Sequence, residues 1–515
     1  MLRKIILLCL LSAALLALTF SLSTFWFLAW FGFVPLFFAV ENKSKVTRFL
    51  LAYLTGVLFW AGTIYWLAHV TLLGTIILVL YLAIYFGIFG LFCSGRSLIL
   101  IPSAWVLLEY IRSYLFTGFP WALLGYSQYN VLPAIQIADI TGVWGVSFLV
   151  MMVNVSAYKI IGNRLWEKEK KREILLPFLL VIFSLGYGYS RLYLLPATYN
   201  LQPAIKVSVI QGNIPQELKW EPKAMGYILN KYTRLTEEAA KVDPDLIVWP
   251  EAASPGLLGE DEWVFENIYS LTKKVGLPLL LGAVTREKDI YFNSALLVDK
   301  NGQITGRYDK IHLVPFGEYI PLKKFFPFLE TVVPIGDINA GKEYTIFQIG
   351  NRKISRQAAS SRAGSRPILN LVTGEIGFRF AVLICFEDLF PELSREFVKR
   401  GARFLVNITN DAWYKKSTAP YQHLQASVFR AVENRVPLVR AANTGISGFI
   451  APTGKIISLV GDQARCNIFV DGFDTRQIFL SKVGAGFYTR LGDAFIPVCL
   501  IFILFGIILQ FKKKR

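Results

Sequence analysis

FRFAVLICFEDLFPELSRE (378–396) decides how the rest of the chain is read. From Phe378 to Ile384 the residues are apolar except Arg379, a short continuous run of the kind a strand shows when both its faces are buried. The run ends at Cys385, and DLFPELSRE beyond it has the pattern of a helix. A cysteine at the end of such a strand projects from a rigid edge. Two acids follow at once, Glu387 and Asp388, and carboxylates beside a thiol disfavour the thiolate. Cys385 is therefore either an inert core cysteine or a nucleophile activated from elsewhere in the chain, and this stretch alone leaves both open.

Similar runs lie on either side of it. IKVSVIQGN (205–213), DLIVWPE (245–251), LPLLLGAV (277–284), NSALLVD (293–299), ARFLVNITND (402–411) and VPLVRAANTG (436–445) read as strands, with polar helical stretches such as 222–241 and 421–434 between them. This alternation predicts an α/β sandwich. Polar residues collect where the runs end: Gln211, Asn213, Glu251, Lys310, Cys385, Asn410 and Asp411. One such residue is unremarkable, but a Glu, a Lys and a Cys at three such ends form a candidate active site.

A free thiol is mostly protonated at neutral pH and needs a base to take its proton as it attacks. The three histidines are poorly placed: His69 lies in an apolar run, and His312 and His423 sit beside the motif residues. Glu251, after Trp249 and Pro250 at a strand end, is the better base, because partial burial makes a carboxylate a stronger proton acceptor. Its plainer reading is a turn acid. Lys310 offers the balancing positive charge and a donor for the oxyanion of an attacked acyl group, a contact worth about 3–4 kcal/mol. A helix starting just past Cys385 would add partial positive charge.

The flanks are of another kind. The chain has 515 residues, 54% hydrophobic and 17% charged, against about 25% charged for an ordinary soluble protein. The apolar excess falls into runs at 5–20, 23–40, 49–72, 74–94, 97–116, 140–161, 174–195 and 492–511, so about eight spans are expected. The first also fits a signal peptide, but no small-x-small site separates it from the next run. With Arg3 and Lys4 in the cytoplasm, Lys43, Lys45, Arg48, Arg96, Arg164, Lys168, Lys170, Lys171, Arg172 and the basic 512–515 tail fall on the same side. That bias puts the domain between the last two spans outside the cytoplasm. The expected division is a transmembrane domain at 1–200, an extracytoplasmic domain at 201–485, and a final span with its tail at 486–515. The net charge of +18 points to a membrane surface rather than nucleic acid, since there is no basic recognition helix. The five cysteines show no disulfide pattern. Glu109 and Arg112, three apart near one span's outer end, read as a substrate pathway or a structural ion pair.

VWPEAASP (248–255), YDKIHLVPFGEYIP (308–321) and ICFEDLFPE (384–392) resemble the three catalytic blocks of the nitrilase superfamily. With FPWALLGYSQ (119–128), TGVWGVSFLV (141–150), QGNIPQELKW (211–220) and NDAW (410–413), and with about eight spans around such a domain, the chain looks like a member of the membrane-embedded apolipoprotein N-acyltransferase family. The resemblance implies an αββα sandwich. It also implies an acyl transfer from a phospholipid such as phosphatidylethanolamine, through a cysteine thioester, to the N-terminal amine of a diacylglyceryl-cysteine apolipoprotein, at the bacterial inner membrane. By position, Cys385 is then the nucleophile, Glu251 the general base and Lys310 the oxyanion-stabilising lysine, with Glu318 and Glu387 supporting them. Trp220, Asn293, Phe386 and Trp413 become substrate-binding candidates. No metal or cofactor is implied, and a monomer is expected.

PLKKFFPFLETVVP (321–334) reads as a lid, with Phe325, Phe326 and Phe328 toward lipid and Lys323 and Lys324 toward headgroups, or else as a packed loop. Phe386 stands where relatives often carry Tyr. The Ser/Arg-rich 352–377 segment reads as a solvated insertion that threatens the placement of the Cys385 strand. The rival readings are a membrane-anchored amidase that uses water as acceptor, and a transporter or scaffold whose outer domain only binds ligand.

Overall fold

The structure is a computed structural model and describes residues 2–21, 23–93, 97–162, 171–194, 204–258, 260–315, 317–319, 338–352, 376–464, 466–480 and 486–512. The expected lid at 321–334, with Phe325, Phe326 and Phe328, and most of the 352–377 segment lie outside these residues.

Among the described residues, five helices are long and apolar enough to cross a membrane: Leu2–Ser21, Lys45–Thr63, Leu72–Phe92, Val143–Ile161 and Leu175–Tyr193. Three of the expected runs form shorter pieces. The 23–40 run breaks into a 3-10 helix, Ser23–Trp30, and an α-helix, Val34–Val40, with Pro35 in its first turn. The 97–116 run yields Leu100–Tyr114, 15 residues. The last run yields Phe495–Lys512. The 49–72 run starts earlier and stops at Thr63, where a 3-10 turn, Tyr65–His69, takes over. Leu72, Leu73, Ile76, Ile77, Leu80 and Ile84 are all exposed, an apolar stripe that water would penalise and lipid would not.

Two sheets carry the rest of the chain. The first contains β1 (Ala204–Gln211), β2 (Leu246–Val248), β3 (Leu257–Leu258), β4 (Leu279–Glu287), β5 (Ile290–Val298) and β6 (Ile304–Asp309). The second contains β7 (Phe347–Arg352), β8 (Ile376–Ile384), β9 (Phe404–Thr409), β10 (Leu438–Ala442), β11 (Gly448–Ile450) and β12 (Ile456–Leu459), and β13 (Gly472–Phe479) returns to the edge of the first. Their orders are β13-β1-β2-β4-β5-β6, with β3 on β4, and β12-β11-β10-β9-β8-β7. Each centre is parallel and each margin antiparallel.

Parallel neighbours require crossovers. Helices Met225–Ala240 and Glu262–Val275 make them on the first sheet, and Pro391–Lys399 and Ala419–Asn434 on the second. The helices of the first sheet enclose a core with Ile210, Ile247, Trp249 and Leu281. The two sheets share another core, with Val207, Leu246, Val382 and Val406, which continues into the membrane helices. The result is an αββα sandwich. Its middle strands are buried on both faces, as β9 and β10 are at every residue, and this is why they read as unbroken apolar runs. β8 pairs parallel with β9 and antiparallel with β7, so the strand that ends at Cys385 sits inside its sheet.

The sandwich is joined to the membrane helices by side chains. Gln422 Oε1 accepts from Trp121 Nε1 at 2.6 Å and Trp66 Nε1 at 3.2 Å, and its Nε2 donates to Thr63 O at 3.0 Å. Glu433 Oε1 accepts from Val143 N at 3.0 Å, and Arg435 pairs with Asp139 at 2.6 Å. Glu109 Oε1 accepts from Leu124 N at 2.6 Å, while Arg112 donates to the carbonyls of Phe119 and Trp121. These two residues anchor the FPWALLGYSQ loop.

Candidate active site

The carboxyl ends of two parallel strands and one antiparallel marginal strand bring the candidate residues to one place. Glu251 follows β2, Lys310 follows β6 and Cys385 follows β8. Cys385 has a φ of 52°, left-handed backbone that a side chain tolerates only when its surroundings impose it. Those surroundings are named contacts: the Cys385 carbonyl accepts from Asn407 Nδ2 at 3.1 Å and from His423 Nε2 at 3.3 Å. The chain then forms a 3-10 turn, Cys385–Leu389, and the α-helix begins only at Pro391. The helix expected just past the cysteine is thus displaced by one turn.

Lys310 Nζ is 2.9 Å from Glu318 Oε1 and 3.5 Å from Glu251 Oε1. Asn293 Nδ2 donates to both carboxylates, at 2.8 Å each. Asn410 N donates to Glu251 Oε2 at 2.9 Å and Val314 N to Glu318 Oε2 at 2.8 Å. Glu251, Asn293, Lys310 and Cys385 are all buried. Burial disfavours the Lys310 charge, but Glu318 and Glu251 outweigh it, so its pKa is raised and it stays an ammonium. Cys385 goes the other way. Burial first, and then the charge of Glu251, push its thiol well above the usual range, with Lys310 pulling down and Asp411 adding to the rise. Cys385 rests as a thiol with a carboxylate and an ammonium in electrostatic reach, the arrangement in which a base must act at the moment of attack.

The acids next to Cys385 in sequence are not what opposes its ionisation. Glu387 points away, accepting from Ile384 N at 2.7 Å, Ile311 N at 2.7 Å, His312 N at 3.1 Å and the Tyr308 hydroxyl at 2.8 Å. It ties the Cys385 turn to the Lys310 strand end. Burial pushes its carboxyl up to about 7 against these donors. Asp388 pairs with His423 at 2.8 Å and Arg440 at 3.0 Å, and His423 Nδ1 reaches Asp411 at 3.0 Å. Burial and Arg440 oppose a charged His423, yet Asp388 and Asp411 raise it to about 9. His312 differs: burial lowers it to about 4, and its Nε2 donates to Thr117 O at 3.0 Å. Both histidines act through structure.

The structure thus brings together Glu251, Asn293, Lys310, Glu318 and Cys385, with Glu387 behind them. Phe386 is buried and stacks on Trp121 of the membrane part, ring centres 6.4 Å apart. Trp220 and Trp413 are half-exposed. Sequence reasoning missed Lys219, Asn407 and Tyr414. Lys219 is buried and donates from Nζ to the Glu251 carbonyl at 2.9 Å. Tyr414 has its hydroxyl pKa raised by burial, with the charge of Cys385 adding to it. The one signal for Lys219 was its place beside Trp220 in a block already singled out.

Residues 12–156 match the apolipoprotein N-acyltransferase N-terminal domain, and residues 206–470 match the carbon-nitrogen hydrolase domain. An apolipoprotein N-acyltransferase of Geobacter metallireducens is 38% identical, covering 99% of this chain and 96% of its own length. One of Pasteurella multocida is 32% identical, covering 86% and 84%. Among solved structures, Saccharomyces cerevisiae Nit3, a member of branch 10 of the nitrilase superfamily, covers 54% of this chain and 90% of its own at 18% identity and a TM-score of 0.37. With relatives matched along nearly the whole chain, and a separate domain match for the membrane part and for the sandwich, the chain belongs to the apolipoprotein N-acyltransferase family.

Proposed function

We propose that this chain transfers an acyl chain from a membrane phospholipid, phosphatidylethanolamine-like, to the N-terminal amine of diacylglyceryl-cysteine apolipoproteins by a ping-pong route through Cys385. The observation that carries the reading is the cluster at the strand ends, where Lys310 Nζ lies 2.9 Å from Glu318 and 3.5 Å from Glu251, with Cys385 buried in their electrostatic reach, in a chain of this family. As Sγ attacks the ester carbonyl, Glu251 takes its proton and Lys310 stabilises the oxyanion. The intermediate expels the lysophospholipid oxygen, which leaves with the proton from Glu251, and a thioester remains. The acceptor amine then attacks, Glu251 takes its proton, and the Cys385 thiolate leaves and is reprotonated. A thioester is energetic enough to form an amide without ATP. Glu318 and Asn293 hold Lys310 and Glu251, and Glu387 holds the Cys385 turn.

The positive charge at alternate loops supports a sandwich on the outer face of the inner membrane, with the divisions 1–200, 201–485 and 486–515, and the chain works as a monomer. The test supplies acyl-labelled phosphatidylethanolamine and a diacylglyceryl-cysteine peptide to the purified protein. Labelled amide is expected from the native chain and none from Cys385→Ser or Glu251→Gln. Amide formation undiminished in Cys385→Ser contradicts the proposal. Release of free fatty acid with no amide favours a hydrolase.

A further inference from the structure

Around Lys310 the site holds two carboxylates, Glu251 and Glu318, against one ammonium. A second buried ammonium stands beside Glu251. Lys219 is 4% exposed although its neighbour Trp220 is 48% exposed, so the chain turns inward to bury a charge, which is costly unless the charge is used. Its Nζ donates to the backbone carbonyl of Glu251 at 2.9 Å, and an ammonium has three donors in all. The segment that carries it is fixed. Asn213 N donates to Asn443 O at 2.9 Å, Ile214 and Asn443 exchange two hydrogen bonds at 2.8 Å, and Asn410 Nδ2 donates to Gln216 Oε1 at 2.8 Å. Asn410 is the residue whose N–H holds Glu251 Oε2. The turn that Lys219 grips is strained at its next residue, Ala252, with φ 44°.

The ionisable groups that face Lys219 are Glu251, from the end of β2, and Cys385, from the end of β8. Lys310 and Glu318 stand one contact further, beyond Glu251, and Asp411 and Tyr414 act on Cys385 from the turn after β9. Two carboxylates beside one ammonium leave a net negative charge, and a second ammonium offsets it.

We propose that Lys219 is a positioning residue for the acylation half of the reaction: its ammonium clamps the Glu251 turn and offsets the second carboxylate, so that Glu251 is held where it can take the Cys385 proton. The inference rests on the function proposed above. Burial lowers Lys219 to about 8, so the clamp loses its charge just above neutral pH, while Cys385 is still a thiol.

The experiment uses the full chain in detergent with phosphatidylethanolamine labelled on its acyl chain and no acceptor, and follows the initial rate of acyl appearing on Cys385 by mass spectrometry from pH 6 to 9. The native rate is expected to fall as pH rises through about 8. Lys219→Met is expected to be slower at pH 7 by about tenfold or more and to lack that fall, and Lys219→Arg to recover most of the rate. A native rate that stays level from pH 7 to 9 overturns the inference. So does a Lys219→Met rate equal to the native one, or a slower one with the native pH profile, which is what a merely structural lysine gives. If Lys219→Met does not purify folded, the native profile decides. A native chain that forms no thioester at any pH contradicts the proposed function itself, and is distinguishable on that ground.

Discussion

Cys385 shows how far sequence proximity misleads at the scale of single residues. The two acids beside it look like its electrostatic opponents, yet Glu387 and Asp388 spend their charge on backbone N–H groups, His423 and Arg440. The residues that set its charge, Glu251, Lys310 and Asp411, come from other strand ends. Glu251, Lys310 and Glu318 were legible because each sits in a block of distinctive order. Lys219 was not, since a lysine before a tryptophan looks like any solvated charge, and only the fold shows that its side chain turns inward. Lys310→Met removes a cation that the oxyanion needs, and acyl transfer should fall by about 10²–10³-fold with membrane insertion unchanged. Asn293→Ala takes an amide donor from two carboxylates at once, and should cost on the order of 1–3 kcal/mol in transition-state stabilisation. Steady-state rates of amide formation check both.

The central strands of the sandwich were legible at the scale of elements because burial on both faces leaves unbroken apolar runs. The marginal strands were not. β6, β12 and β13 carry mixed residues at half-exposed positions, β11 has only three residues, and they have no periodic signal to read. The helix expected just past Cys385 was displaced because Pro391 starts it, a preference of proline for the first turn. The Cys385–Leu389 turn depends on Glu387. Glu387→Gln puts an amide where several donors need an acceptor, and should lower acyl transfer at least tenfold and the melting temperature measurably. His423 adds a pH dependence. Its pKa is raised to about 9 from 6.5, so its stabilisation is complete below about pH 6.5 and is lost as pH rises through about 9, a change on the order of a few kcal/mol. The melting temperature in detergent should fall over that window, and His423→Gln should flatten the fall.

Hydropathy placed the membrane part at the scale of the whole molecule but not its helix boundaries. Apolar composition does not say where Pro35 or the Tyr65–His69 turn will break a run. The seam between the two parts was equally hidden, because Gln422, Trp121 and Trp66 meet only in three dimensions. Removing both sides of the Gln422–Trp121 contact, as Gln422→Ala and Trp121→Phe, should cost less than the sum of the single changes, a coupling of about 0.5–3 kcal/mol. Sidedness has its own test, since Cys466 is the exposed cysteine of the sandwich. A membrane-impermeant maleimide should label Cys466 in right-side-out vesicles, and labelling only after permeabilisation would reverse the proposed orientation.

The thioester decides the chemistry. The purified chain is incubated with acyl-labelled phosphatidylethanolamine, freed of lipid, digested and weighed by mass spectrometry before and after a diacylglyceryl-cysteine peptide is added. The acyl mass should be found on the Cys385 peptide and should pass from it to the amine of the acceptor. A Cys385 peptide that carries no acyl group with the acceptor withheld, or an acyl-enzyme that the acceptor leaves untouched, would contradict acyl transfer through this cysteine.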